Sequence, residues 1–486
     1  HLFVDNAGVH VVNPSLGDSV AGMMLLIPQM NGRDLNDAVV ETREGEEWIR
    51  FGSYLFRPGE TIKKLNTEGD AIAIGPEGYA EWRLVEVDAE KTLSIVTSGP
   101  WRLFDGNFAQ ADQADGTKTV TLAAGTYYMA FLANATIDSF PVQELQAMLD
   151  ASVSDDGLPG AILAVRTPAG SWVGAAGKAS LASGEPMTPD MQVRLASVTK
   201  SLTSILVMKL VEANLLSLHD TVEKWLPGLI PGGEQMTVKM LLSHRAGIYS
   251  VTELESFWVD LLKDPLKSWT SDEIIERVRS LTPLFTPGTE FVYTNTGYYV
   301  LGLIVEAATG NTLEAEIENL IFGPQGLART RLARHGFMDA PMSHGHTWLP
   351  TTEQVTDNTD WNLSWDWTAG AAVSTGADML KLATSLFSGQ IVNPITLELM
   401  ITPTEPGGYG LGIGAAPLFG TTCIGHSGQN PGTVTYWYHF PDRDTTIFVA
   451  ANRSDTLTKA PPPYPPINAN ALAFSIFEKA WQILYP

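Results

Sequence analysis

One cysteine, Cys423, stands in 486 residues, so no internal disulfide can form and no thiol cluster can hold a metal. A small buried hydrophobe is the plain reading of that residue. Long apolar runs are equally scarce. The stretch Met23 to Ile27 stops at Pro28, far short of the roughly 20 residues a membrane-spanning helix needs. Positive charge is in short supply too, with 30 basic residues against 54 acidic ones and a formal charge of −24. An acidic surface repels phosphate backbones and anionic lipid, which argues against nucleic-acid and membrane-surface roles.

What is present has two textures. Residues 1 to 138 carry short apolar alternations between turn signals, such as Ala71-Ile-Ala-Ile74 before Gly75-Pro76. Along Thr119 to Leu132, Tyr127, Met129 and Phe131 fall on one face, with Tyr128, Ala130 and Leu132 on the other. Arg57-Pro-Gly59 and Ala123-Ala-Gly125 add turns. This pattern predicts a small all-β, sandwich-like accessory domain without a catalytic constellation. From 139 to 486 an α+β domain is expected. Helical spacing opens at Val142, strands follow at Ala161 to Arg166 and Trp172 to Gly177, and a long helix opens at Ser197. A late hairpin turns at Pro441-Asp-Arg-Asp444, and a proline-rich loop, Pro461 to Pro466, leads to a terminal amphipathic helix.

Three short patterns in this second region carry chemistry. Ser197-Val-Thr-Lys200 puts a hydroxyl and an amine on one helix face, about 5–6 Å apart at Cβ. A serine is a weak nucleophile until a neighbouring base takes its proton, and a lysine can be that base once burial lowers its pKa. Alone, the pattern reads as an N-cap serine and a solvated lysine. Tyr293-Thr-Asn295 follows the turn at Pro287-Gly288 and enters a helix from Tyr298 to Ala308. A tyrosine beside a lysine can shuttle protons, and an asparagine amide can orient a carbonyl. Alone, this is a core tyrosine and a capping asparagine. His426-Ser-Gly428, then Gln429, precedes a predicted strand, whose edge offers a backbone N–H to an oxyanion. Gly425-His-Ser-Gly-Gln429 is no nucleophile elbow, because Gln429 stands where the second glycine belongs.

In this order and spacing, residues 140 to 486 resemble the serine β-lactamase and penicillin-binding superfamily. Class C β-lactamases, soluble D-alanyl-D-alanine carboxypeptidases and β-lactamase-like esterases are the members they are most like. Longer stretches carry the resemblance: Val193 to Lys200, Leu241-Leu-Ser-His-Arg-Ala-Gly247, Pro287 to Gly297, Ala369 to Thr375 and Tyr409-Gly-Leu-Gly412. The resemblance implies an antiparallel sheet with flanking helices plus an all-helical region. It also implies an acyl-enzyme at Ser197, proton exchange through Lys200 and Tyr293, and an oxyanion held by the amides of Ser197 and Gln429. Asn295, His426, Ser427 and Gly428 would line the substrate. No metal or organic cofactor is called for, and His344-Gly-His346 reads as a loop pair rather than two ligands.

The expected substrate is a small peptide or ester, with cell-wall-type D-peptides first and a carboxylesterase role as the alternative. An extracytoplasmic setting goes with that expectation. β-Lactamases and most penicillin-binding proteins carry lysine where His426 stands; the carboxypeptidase that shares this histidine has arginines where Ile413-Gly-Ala-Ala416 stand and a threonine at Gln429, which thins out the carboxylate anchors here. A lapsed copy serving as a binding or scaffold protein would be expected to lack one of Ser197, Lys200, Tyr293 or Asn295, and all four are present. Trp361, Trp365 and Trp367 suit core packing and substrate contact equally well.

Overall fold

The computed structural model divides the chain into two compact units, residues 1–139 and 140–486. It describes 140–485 except 335–337, 350–351, 353, 406 and 456–467, and in the first unit the course of its strands and residue 123. The turns expected at 57–59 and 75–76 and the loop Pro461 to Pro466 lie outside the described residues.

The described secondary structure of the first unit is all strand. Gly125–Phe131 pairs antiparallel with Glu81–Val87 on one side and Pro100–Asp105 on the other, and Gln110–Asp115 completes that four-stranded sheet. Lys118–Leu122 belongs to a different, three-stranded sheet with Lys91–Val96 and Ala71–Ala73. The alternation from Thr119 is therefore shared by two strands in two sheets, broken at Ala123, and Leu132 lies outside the described residues.

The second unit is built on a six-stranded antiparallel sheet. Its strands are β1 (Gly160–Thr167), β2 (Gly170–Gly177), β3 (Gly414–Leu418), β4 (Thr421–Asn430), β5 (Thr433–Phe440) and β6 (Thr445–Ala451), in the order β2-β1-β6-β5-β4-β3. Period-two alternation feeds two cores. Ala161, Leu163, Val165, Ile447 and Val449 pack under helices α1 (Val142–Asp156) and α5 (Ala469–Leu484), beside Ile476, Phe477 and Trp481. Ile162, Ala164, Trp437, Phe448 and Ala450 face the larger helical core, with α2 (Thr199–Glu212), α3 (Asn295–Thr309) and α4 (Gly376–Phe387). Each Val, Leu, Ile or Phe among them, buried whole, contributes about 1.5–3 kcal/mol. Pairing of β1 with β6, Ala161 against Ala451 through Arg166 against Thr446, brings the two ends of the unit together on one sheet.

Local chemistry sets the ends of the elements that matter for function. Gly288 takes φ +88° in the turn before Tyr293, and Gly310 at φ +73° closes α3. Asp444 at φ +42° ends the turn Pro441–Arg443 between β5 and β6. His426 to Gln429 lie inside β4, not ahead of a strand as the sequence suggested. Gly425, Ser427, Gly428 and Gln429 have little strand propensity, so only the β-branched run from Val434 was visible. β3 covers β4 as far as Gly425. Beyond it, from His426 to Asn430, no described strand pairs with that edge.

Candidate active site

Ser197 sits in a short 3-10 turn, Ala196–Val198, that runs straight into α2. Ala196 is fully buried at φ +47°, a left-handed conformation that costs a non-glycine residue about 1 kcal/mol or more. Gly428 of the free β4 edge closes on this turn. A Cβ there would stand 2.4 Å from the Leu195 carbonyl oxygen, 2.6 Å from Thr435 Oγ1 and 2.9 Å from Ser197 N. The glycine thus lets strand and serine turn touch. Gly428→Ala is expected to push them apart, costing about 1–3 kcal/mol of stability and on the order of tenfold or more in acylation of Ser197. Thermal melting and labelling rate check this together.

Lys200, one turn on, is completely buried. Its Nζ donates to Ser197 Oγ at 3.0 Å, Asn295 Oδ1 at 2.7 Å and the Ala369 carbonyl at 2.8 Å. Three acceptors use all three hydrogens of the ammonium form. Burial lowers its pKa to about 7, against a smaller upward pull from Asp366. Asp366 is itself buried and accepts from Asn430 Nδ2 at 2.7 Å; burial raises its pKa, while Lys200 and Asn430 hold it down.

Tyr293 lies on the extended segment before α3, with Lys200 Nζ 4.8 Å from its ring centroid. Burial raises its pKa well above 10, Tyr409 adds to the rise, and a hydrogen bond with Ser197 opposes it. The residue is 38% exposed, so water in the cleft moderates the shift. Its resting form is the phenol. Asn295 does not reach outward for a substrate here. Its Oδ1 accepts from Lys200, its Nδ2 donates to Thr252 Oγ1 at 3.0 Å, and its backbone N–H donates to Ser250 Oγ.

His426 is buried with both ring nitrogens engaged, Nε2 at 3.0 Å from Tyr409 Oη and Nδ1 on the Ser427 carbonyl. Burial and the charge of Lys200 lower its pKa to about 4, so it is neutral at pH 7. Ser427 and Gln429 have different partners. Tyr438 hydrogen-bonds the Ser427 side chain, and Gln429 Nε2 donates to Ser454 Oγ at 3.1 Å.

His244 and Tyr409 complete this cluster, although sequence reasoning gave them no role. His244, fully buried at φ +57°, grips both neighbours of Tyr293. Val292 N–H donates to its carbonyl at 3.0 Å and Thr294 N–H to its Nδ1 at 3.1 Å. With Nδ1 accepting, Nε2 carries the proton and donates to Tyr409 Oη at 3.2 Å. Tyr409 then donates to His426 Nε2, and His426 Nδ1–H to Ser427. The wire ties the tyrosine segment to β4. Both residues lie in stretches that carried the family resemblance, Leu241 to Gly247 and Tyr409 to Gly412, and that was the available signal.

Residues 145–467, about two thirds of the chain, match the family described as Beta-lactamase. The chain belongs to the beta-lactamase family. Members of this family are serine acyl-transferring hydrolases. Among solved structures, a D-stereospecific amidohydrolase from Streptomyces sp. is 30% identical, with a TM-score of 0.59 over 64% of this chain and 94% of that one. D-amino acid amidase from Ochrobactrum anthropi SV3, complexed with L-phenylalanine amide, is 25% identical with a TM-score of 0.62, over 71% of this chain and 99% of the other. Penicillin-binding protein 4* of Bacillus subtilis (strain 168) is 25% identical over 300 residues, 58% of this chain and 65% of that protein. Esterase EstB of Burkholderia gladioli is 34% identical over 194 residues, 38% and 49% respectively. The chain spans about half to two-thirds of the length of these two curated relatives.

The remaining candidates of the beta-lactamase-like unit fall outside the cluster. Trp361, Trp365 and Trp367 are buried; Trp367 packs on Tyr299 and donates to Glu314. They are core. His344 pairs with Asp357 at 2.6 Å, and His346 lies between the Asn452 carbonyl and Leu181 N–H. Among the described residues, no group of three or more metal-ligating side chains occurs. None of their helices is long and apolar enough to cross a membrane.

Proposed function

We propose that this protein is a serine hydrolase of amide bonds in D-amino-acid-containing peptides and amides, working through an acyl-enzyme at Ser197. The observation that carries the reading is the buried Lys200 amine 3.0 Å from Ser197 Oγ with a pKa of about 7. At neutral pH about half of it is free base. Neutral Lys200 takes the Ser197 proton as Oγ attacks the carbonyl carbon, and the amides of Ser197 and Gln429 hold the oxyanion. Tyr293 gives its proton to the departing nitrogen and is reprotonated by Lys200. Water then attacks the ester, its proton returning along the same groups, and Ser197 is freed. Asn295 positions Lys200 rather than the substrate.

The D-amino-acid part of the reading draws on the amidohydrolase and amidase likenesses, and a D-alanyl-D-alanine carboxypeptidase-like activity is its form for free C-termini. Such peptides of the cell wall lie outside the cytoplasm, and this reading places the protein there. A carboxylesterase is the second reading, favoured by a neutral His426 where β-lactamases and most penicillin-binding proteins carry lysine, and by Ile413-Gly-Ala-Ala416 in place of the carboxypeptidase arginines. The first test is intact mass after a fluorophosphonate or penicillin. A single adduct, absent in Ser197→Ala, is expected, with D-aminoacyl amides hydrolysed at least about tenfold faster than L. No adduct with any acylating agent would sink the mechanism, and an L preference would sink the substrate class.

A further inference from the structure

The cleft continues past the serine. A cavity of about 400 Å³ shares Tyr293, Tyr409, His426 and Ser427 with the site and extends along the β3–β4 hairpin. Register shows how it crosses the sheet. Ser427 of β4 stands opposite Tyr436 of β5, and Gly425 opposite Tyr438. Cys423, Gly425 and Ser427 alternate with Ile424 and His426, so the cavity passes from the free edge of β4 onto the face that packs against α5. There it is walled by Ala416, Leu418, Cys423, Tyr436, Tyr438 and Phe474.

None of the residues lining it is Lys, Arg, Asp or Glu. Its titratable groups are the four tyrosines, Cys423 and His426, and all are neutral at pH 7. Burial raises the tyrosines and the thiol and lowers the histidine. An unpaired carboxylate in such surroundings loses its hydration and gains no counter-charge. An aryl or alkyl group meets apolar walls and tyrosine rings.

We propose that this cavity receives the leaving group of the substrate, and that the leaving group is uncharged and apolar or aromatic rather than an amino acid with a free carboxylate. The placement rests on the serine-hydrolase reading above and, within it, favours amide substrates over the carboxypeptidase-like form for free C-termini. Tyr293 protonates the departing atom and also lines the cavity, so whatever hangs from that atom starts at the cavity mouth. Walls of Tyr436, Tyr438 and Phe474 then read its shape. The bond chemistry is unchanged: the acyl carbon leaves nitrogen for Ser197 Oγ, and the amine departs with the proton from Tyr293.

The experiment uses the full chain and one N-acyl-D-alanyl group joined to benzylamine, D-alanine or D-alanine amide. Acylation and hydrolysis are timed separately by rapid quench. The benzylamide is expected to exceed the D-alanine substrate at least about tenfold in kcat/KM, and amidating the carboxylate should recover most of that difference. Ala416→Arg places a cation in the cavity and should shift the preference at least about tenfold toward the free carboxylate. The shift should lie in acylation alone, since the leaving group is gone before hydrolysis. Leu418→Arg repeats the test at the C-terminal end of β3 should the first variant fold poorly. Equal use of benzylamide and D-alanine substrates would overturn the proposal. So would arginine variants that leave the preference in place, or that change hydrolysis of the common acyl-enzyme. Fluorophosphonate labelling of the same samples separates the two failures. A labelled Ser197 with no leaving-group preference removes the cavity's role only, whereas an unlabelled one removes the serine reading itself.

Discussion

Lys200→Met is expected to slow acylation of Ser197 by about 10³-fold while leaving the protein folded. The rate loss follows from removing the base, since general-base catalysis is worth about 10²–10⁴. The fold survives because two effects of similar size oppose. Holding the amine at a pKa of about 7 instead of 10.5 costs the native state about 5 kcal/mol at neutral pH, which methionine relieves. Against that, Asn295, the Ala369 carbonyl and Asp366 lose a partner, at about 1–3 kcal/mol each. The two nearly cancel, so a melting temperature within a few degrees of wild type is the expected readout. The pH dependence has a definite sign. Between pH 7 and 10 the unfolded chain binds more protons at this lysine than the native one, so wild-type stability rises relative to the variant across that window. Wild-type acylation rises over the approach to pH 7 as the amine loses its proton. A methionine variant that acylates at the wild-type rate would remove Lys200 from the mechanism.

Tyr293→Phe should divide substrates by their leaving groups. The ring keeps its packing 4.2 Å from His244, so the segment stays in place and only the hydroxyl is lost. An amine must be protonated to leave, and a phenol holding its proton well above pH 10 is suited to supply it. For an anilide, kcat/KM is expected to fall about 10²–10³-fold. A nitrophenyl ester of the same acyl group departs unaided, and its loss should stay under about tenfold. Equal losses on the two substrates would mean that the hydroxyl serves attack by Ser197, not departure of the amine.

The parts of this architecture that were legible in the sequence have local signatures. Ser197 with Lys200 is one turn of helix, and the Pro441 to Asp444 turn sits between two β-branched runs. What stayed hidden depends on contacts far apart in sequence. His244 reads as a loop histidine until the fold sets it against the segment holding Tyr293 and against Tyr409. Asn295 has the right chemistry to hold a substrate amide, and only the folded chain shows Lys200 and Thr252 occupying it. Gly428 looked like room for a substrate, yet its missing side chain makes room for the Ser197 turn. The apolar cavity had no motif at all, since Tyr436, Tyr438 and Phe474 are ordinary core residues in the linear chain.

The pairing of β1 with β6 also has a consequence for how the protein is made. Ala164 emerges from the ribosome long before its sheet partner Phe448. At about 5–20 residues per second, that strand waits roughly 15 to 60 s with one edge unpaired. Throughout this interval Ile162 and Ala164 lack the strand that will cover their flank, and sticky backbone is open to other nascent chains. Ser197 and Lys200 are already synthesised, but the β4 edge that closes on them emerges only much later. The surroundings of Ser197 therefore cannot assemble until β4 has been synthesised: translation order itself delays the site.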